Sequence, residues 1–142
     1  PSLPKEFYQK FVDDDVHFVS NKTYDLLRCS KAALVTSGTA TLETALLNVP
    51  EIVCYRTSTI SYEIGKRVVK NIKFISLVNL IMDREIVKEL IQKELNTENL
   101  VNELQKILEG QKRDKMLENY ELLREKLGGK GASEHAAEII VN

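Results

Sequence analysis

With 142 residues, 43% of them apolar and 29% charged, the chain is long enough to bury the core of one globular domain. Its formal net charge of −1 excludes a global electrostatic pull toward nucleic acid. No apolar run approaches a membrane span in length and no signal-peptide pattern opens the chain, so any membrane association is expected to be peripheral. Cys29 and Cys54 sit in apolar-flanked segments without CxxC or Cys/His spacing, which predicts reduced, buried thiols in a cytosolic protein. The opening Pro1-Ser2-Leu3-Pro4, with no initiator Met, reads as the cut end of a larger protein.

Pro1, Pro4 and the run Asp13-Asp14-Asp15 predict a loop with a short helix near 7–12. Val16-His17-Phe18-Val19 is a short strand candidate, with His17 in a packing role. Ser20 or Asn21 then caps a helix containing Tyr24, Leu26 and Leu27. A strand over 32–36 leads into Ser37-Gly38-Thr39-Ala40-Thr41-Leu42-Glu43, which is expected to open a helix over 39–48. Pro50 marks a turn, and Ile52-Val53-Cys54-Tyr55 is a strand ending at Arg56. A helix over 59–70 and a fourth strand, Phe74-Ile75-Ser76-Leu77-Val78, lead to Asn79. Strands alternating with helices predict an α/β fold, a parallel sheet flanked by helices.

Beyond Leu80 the pattern is helical. One or two helices are expected over 85–94, one over 97–108 ended by Gly110, one over 112–127 stopped by Gly128-Gly129, and a last one over 133–141. No metal role is expected for His135 or the Asp run, since neither has further ligands at suitable spacing.

The stretch 37–43 carries the functional argument. A helix start presents unpaired N–H groups and the positive end of the helix dipole, and small residues there let an anion approach the backbone. Glu43, one turn on, could accept hydrogen bonds from vicinal sugar hydroxyls. Diphosphate at the turn and ribose at the glutamate would make a nucleotide site. The same residues also suit a plain N-cap with a dipole-complementing glutamate and no ligand. In parallel sheets ligands sit at the carboxyl ends of strands, where the Ser37 turn, Tyr55-Arg56 and Asn79 are all expected.

Those residues occur in a family pattern. Ser37 to Glu43, Pro50, Val53-Cys54-Tyr55-Arg56, Lys66-Arg67-Val68-Val69-Lys70, Ile75-Ser76-Leu77-Val78-Asn79-Leu80 and Val87-Lys88-Glu89-Leu90-Ile91-Gln92 follow one another at family distances. Together they resemble the carboxyl-terminal portion of lipid-A-disaccharide synthase. Val78 departs from the pattern, which has proline before the asparagine.

The resemblance implies the carboxyl-terminal half of a GT-B glycosyltransferase. Residues 1–110 would form a partial Rossmann-like domain lacking its first strand, and 111–142 helices that cross back to the absent amino-terminal domain. The implied substrates are UDP-2,3-diacylglucosamine and 2,3-diacylglucosamine 1-phosphate, joined with inversion to the lipid A disaccharide with release of UDP and no cofactor. By carry-over, Ser37, Gly38, Thr39 and Ala40 would bind the diphosphate, Glu43 the ribose, and Arg56 the phosphates. Asn79 and Gln92 would contact sugar or phosphate, though Arg56 also suits a surface ion pair and Gln92 an exposed helical position.

No catalytic residue is expected within the chain, because the general base would lie in the missing half. The parent is expected in the cytoplasm, with room for a homodimer and for contact with the inner membrane. Lys66, Arg67, Lys70 and Lys73 suit either such a surface or a solvated helix face. A UDP-N-acetylglucosamine 2-epimerase and a non-enzymatic α/β interaction module are the rival classes.

Overall fold

A computed structural model describes residues 4–13, 15–36, 38–57 and 73–128. Its centre is a parallel sheet of three strands in the order β1-β2-β3, formed by Ala33–Val35, Glu51–Tyr55 and Lys88–Ile91. Leu34 pairs with Ile52, and Ile52 in turn with Lys88. β2 is central and buried from Glu51 to Cys54, as expected of a β-branched run flanked by strands and covered by helices.

The helices are α1 (Lys5–Gln9), α2 (Thr23–Arg28), α3 (Gly38–Leu46), α4 (Leu77–Met82), α5 (Thr97–Leu108) and α6 (Gln111–Lys126). α3 connects β1 to β2 and packs against α4 and α6, while α5 lies against β2 and β3. The core joins Ile52, Val53 and Leu90 of the sheet to Val78, Ile107, Met116, Tyr120 and Leu123 of the helices. Each large apolar side chain buried in this way contributes about 1.5–3 kcal/mol. The fold is thus the expected α/β class, a parallel sheet with helices against it and a helical carboxyl-terminal segment.

α6 is fastened by its cations as well as by its apolar stripe. Arg124 Nη2 donates to the Leu46 carbonyl at 2.8 Å and Lys126 Nζ to the Ile81 carbonyl at 2.5 Å. Both carbonyls belong to last turns, of α3 and α4, where a helix lacks its own donors and carries partial negative charge. At the other end of α6, Arg113 Nη1 donates to the Lys31 carbonyl at 2.7 Å.

Five local expectations change. Residues 16–19 form no strand; a turn closed from Val16 N–H to the Asp13 carbonyl precedes them, and Phe18 packs on Tyr8 with ring centroids 6.0 Å apart. α2 begins without a side-chain cap, because Lys22 is the N-cap and Asn21 takes a left-handed conformation with φ 58°.

Phe74 to Val78 is not a strand. Ser76 Oγ accepts from Asn79 N–H and starts α4, so local capping prevails over β-propensity. The helix expected over 85–94 is instead β3 followed by a short 3₁₀ turn, Gln92–Glu94. Parallel pairing of Lys88–Ile91 to β2 satisfies the backbone of this run while burying Glu89 and Leu90, which an isolated helix would not do.

Of the two free thiols Cys54 is buried, as expected, but Cys29 is exposed at the end of α2. The helices expected over 59–70 and 133–141 lie outside the described residues.

Candidate functional site

Because all three strands run parallel, their carboxyl ends share one rim. Thr36 leaves β1 there, Arg56 and Thr57 leave β2, and Gln92 leaves β3. α3 starts at this rim, directed away from it. Its first-turn N–H groups therefore have no intrahelical acceptors and face the place where ligands bind parallel sheets.

The small-residue stretch divides by direction. Gly38 and Thr39 are exposed, Ala40 is half-buried and Thr41 is fully buried, its hydroxyl donating back to the Gly38 carbonyl at 2.5 Å. Thr44, also buried, donates to the Ala40 carbonyl at 2.7 Å. The two buried threonines thus satisfy their hydroxyls within the helix.

Gly38 is informative because the described protein does not require a glycine there. Its φ is not positive, and beyond its chain neighbours and its own helix an added Cβ would meet no atom of the described residues within 4 Å. Glu43 lies one turn further along, exposed and without a salt bridge among the described residues. Ser37 lies outside the described residues.

Arg56 is exposed at the same rim and is not in a surface ion pair among the described residues. Its Nη2 donates to the carbonyls of Leu95, at 2.5 Å, and Gln92, at 3.4 Å. Gln92, expected within a helix, stands instead at the end of β3. Its Oε1 accepts from Thr57 N–H at 3.1 Å and its Nε2 donates to the Thr57 carbonyl at 3.1 Å. The third polar cluster of the rim is therefore Gln92 rather than Asn79.

Asn79 has a different place from the one expected. It lies inside α4, fully buried, with its Oδ1 accepting from the N–H groups of Ile86, at 2.7 Å, and Val87, at 3.0 Å. Its Nδ2 donates to the Val87 carbonyl and to Glu89 Oε1, both at 2.9 Å. Two donors and two acceptor positions are all that an amide side chain has. Asn79 consequently ties α4 to the entry of β3 and has no capacity left for a ligand.

Glu89, which the sequence did not single out, completes that network. Its oxygens accept from the N–H groups of Ile75 and Ser76 and from the Ser76 hydroxyl, all within 2.9 Å. Val87-Lys88-Glu89-Leu90-Ile91 shows no strict alternation, and the one available signal is its β-branched ends, which as a strand would place a carboxylate in the sheet and demand partners for it.

A second buried carboxyl lies at the opposite end of the sheet. Glu51 begins β2 and is fully buried, with neither carboxyl oxygen hydrogen-bonded among the described residues. Burial pushes its pKa from 4.5 up to about 9, so the group is neutral at pH 7. The Tyr120 hydroxyl, likewise buried and unpartnered among the described residues, is pushed upward by burial first and by the Glu51 carboxyl second. This pair is remote from the rim and belongs to the packing of α6.

The described residues hold no cluster of three or more His, Cys, Asp or Glu that could bind a metal, and no helix among them is long and apolar enough to cross a membrane. An anion-accepting helix start, an exposed carboxylate one turn on and an arginine on the neighbouring strand suit a phosphorylated sugar or nucleotide.

Comparison with known proteins agrees with that chemistry. The model of the lipid-A-disaccharide synthetase family matches residues 5–141. The lipid-A-disaccharide synthase of Syntrophus aciditrophicus is 42% identical over 123 residues, 86% of this chain and 32% of the relative. Those of Myxococcus xanthus, 37% identical over 124 residues, and Gloeothece citriformis, 38% over 126, each cover 87% of this chain. The chain spans about a third of the length of these relatives, 32% to 33%. With the family model covering nearly every residue and such relatives well above chance similarity, the chain belongs to the lipid-A-disaccharide synthase family.

Proposed function

We propose that this chain is the donor-binding part of an inverting glycosyltransferase. The parent enzyme joins UDP-2,3-diacylglucosamine to 2,3-diacylglucosamine 1-phosphate and releases UDP. Membership of the family supports the reaction class, and the start of α3 at the carboxyl rim, with exposed Gly38 and Thr39, supports the placement of the diphosphate. The observation that carries the reading is Gly38: neither backbone conformation nor packing among the described residues requires glycine, whereas close approach of a phosphate to the helix N–H groups does.

In this reading Ser37, Gly38, Thr39 and Ala40 bind the diphosphate and Glu43 accepts hydrogen bonds from the ribose hydroxyls. Arg56 supplies positive charge to the phosphates. The acceptor 6-hydroxyl attacks the donor's anomeric carbon from the face opposite UDP. As that bond forms, the bond to UDP breaks, and the charge gathering on the leaving diphosphate is stabilised by the helix start and Arg56.

The hydroxyl's proton goes to a base outside this chain, so the chain alone is expected to be inactive. No cofactor takes part. Acylated substrates place the parent at the cytoplasmic face of the inner membrane.

Titration of the chain with UDP, followed by amide NMR, tests the site. Saturable shifts at 38–43 and 56, weaker for ADP and for Glu43→Ala, are expected. A folded chain whose spectrum does not respond to UDP overturns the proposal.

A further inference from the structure

Arg56 and Gln92 clasp each other's strands. Arg56 Nη2 donates to the backbone carbonyl of Gln92 and to that of Leu95, while the Gln92 amide both accepts from and donates to the backbone of Thr57, next to Arg56. Thr57 is the second residue beyond β2, so the side chain of Gln92 takes over where the backbone ladder, whose last pair is Tyr55 with Ile91, has ended.

Gln92 adopts a left-handed backbone conformation with φ 51°. A residue with a Cβ is held there only where its surroundings determine it strongly. Here two determinants coincide. The left-handed turn carries the chain from β3 into the 3₁₀ turn whose carbonyls receive Arg56, and glycine would adopt that backbone more readily but could not reach Thr57.

The consequence falls on the guanidinium. An arginine has five N–H donors in one plane, and binding of Nη2 to two carbonyls fixes that plane. Nε and Nη1 have no partner among the described residues, which leaves these donors for the diphosphate in the donor-site reading.

We propose that Gln92 is a positioning residue, which clamps Thr57 and the carbonyl seat of Arg56 so that the guanidinium is pre-oriented for the donor's phosphates. This role rests on the donor-site reading above. In this role Gln92 acts through Thr57, which engages one acceptor and one donor position of its amide, rather than through direct contact with sugar or phosphate.

The test is a double-mutant cycle on the UDP affinity of the chain, with Gln92→Gly, Arg56→Ala and the pair, together with amide exchange at Thr57. Gln92→Gly keeps the left-handed turn and deletes the clamp, so Thr57 N–H should exchange about tenfold faster. UDP binding should weaken about three- to tenfold where Arg56 is present and hardly at all where it is alanine. Gln92→Asn, which also tolerates the left-handed backbone but is one methylene short, should reproduce both effects should the glycine variant fail to fold.

A loss in Gln92→Gly that is equal with and without Arg56, or unchanged Thr57 exchange, overturns the positioning role alone. A wild-type chain that fails to bind UDP overturns the donor site and this role together.

Discussion

Replacing Glu51 by methionine should stabilise the protein and remove much of its pH dependence. In the folded chain burial holds the carboxyl pKa at about 9 against 4.5 when exposed. Below pH 4.5 both states bind the proton, and ionisation does not discriminate between them. As the pH rises further the unfolded chain ionises while the folded one stays protonated, so stability falls by about 1.4 kcal/mol per pH unit until the folded group also ionises near pH 9. At pH 7 the accumulated loss is about 3 kcal/mol.

Methionine has a similar unbranched, flexible shape, is only slightly larger and brings no polar atom requiring a partner. Urea unfolding of wild type, Glu51→Met and Glu51→Gln at pH 5, 6, 7 and 8, followed by far-UV circular dichroism, measures the effect. Glu51→Met should gain about 3 kcal/mol at pH 7, and the difference from wild type should widen with pH. Glu51→Gln should show the same loss of pH dependence with a smaller gain, because it still buries a polar group. UDP affinity should be unchanged, since Glu51 lies at the end of β2 away from the rim. Parallel wild-type and Glu51→Met stabilities across this pH range, or a methionine variant less stable at pH 7, would refute the assignment of a neutral, unpartnered carboxyl.

The site and its supports give further expectations. Gly38→Ala should leave stability within about 0.5 kcal/mol, since the new Cβ meets no described neighbour, yet weaken UDP binding about tenfold; a titration paired with a melt separates the two. Asn79→Ala should destabilise by about 3 kcal/mol, visible as a lower urea midpoint, because it strands backbone groups at Ile86 and Val87 and one face of Glu89. Arg124→Ala should cost about 1 kcal/mol through the lost cap on α3, read in the same assay. With a thiol reagent Cys29 should react at once, whereas Cys54, buried and with its thiol pushed up by burial, should react only as the protein unfolds.

The elements that could be read from the chain are those whose local signal and final environment agree. β1, α3, β2, α5 and α6 follow from apolar runs or helical periodicity bounded by Gly38, Pro50, Gly110 and Gly128. In the segment 74–94 two local signals compete, and the structure departs from the expected strand and helix. Phe74 to Val78 has strand composition, but Ser76 caps a helix three residues ahead of Asn79, and the buried Glu89 carboxylate holds the cap's own N–H.

Val87 to Gln92 fits a helix or a strand, and pairing with β2 decides for the strand. That decision moves the site residues too. It carries Gln92 to the rim beside Arg56 and retires Asn79 into the interior.

By itself the sequence determined the alternation of strand and helix, the small-residue helix start at Gly38 with Glu43 one turn on, and the family to which these motifs belong. These are properties of short stretches, set by periodicity, capping and backbone permissiveness within a few residues. Tertiary structure alone decided which polar side chains face the rim and which are consumed inside. Asn79 is satisfied by Val87, Glu89 and Ile86, Gln92 is clasped to Thr57, and Glu51 is met by no described group, because hydrogen bonds between segments 7 to 35 residues apart depend on strand order and register. An amide reads the same in the sequence in either setting, and only its surroundings make it a ligand, a clamp or part of the core.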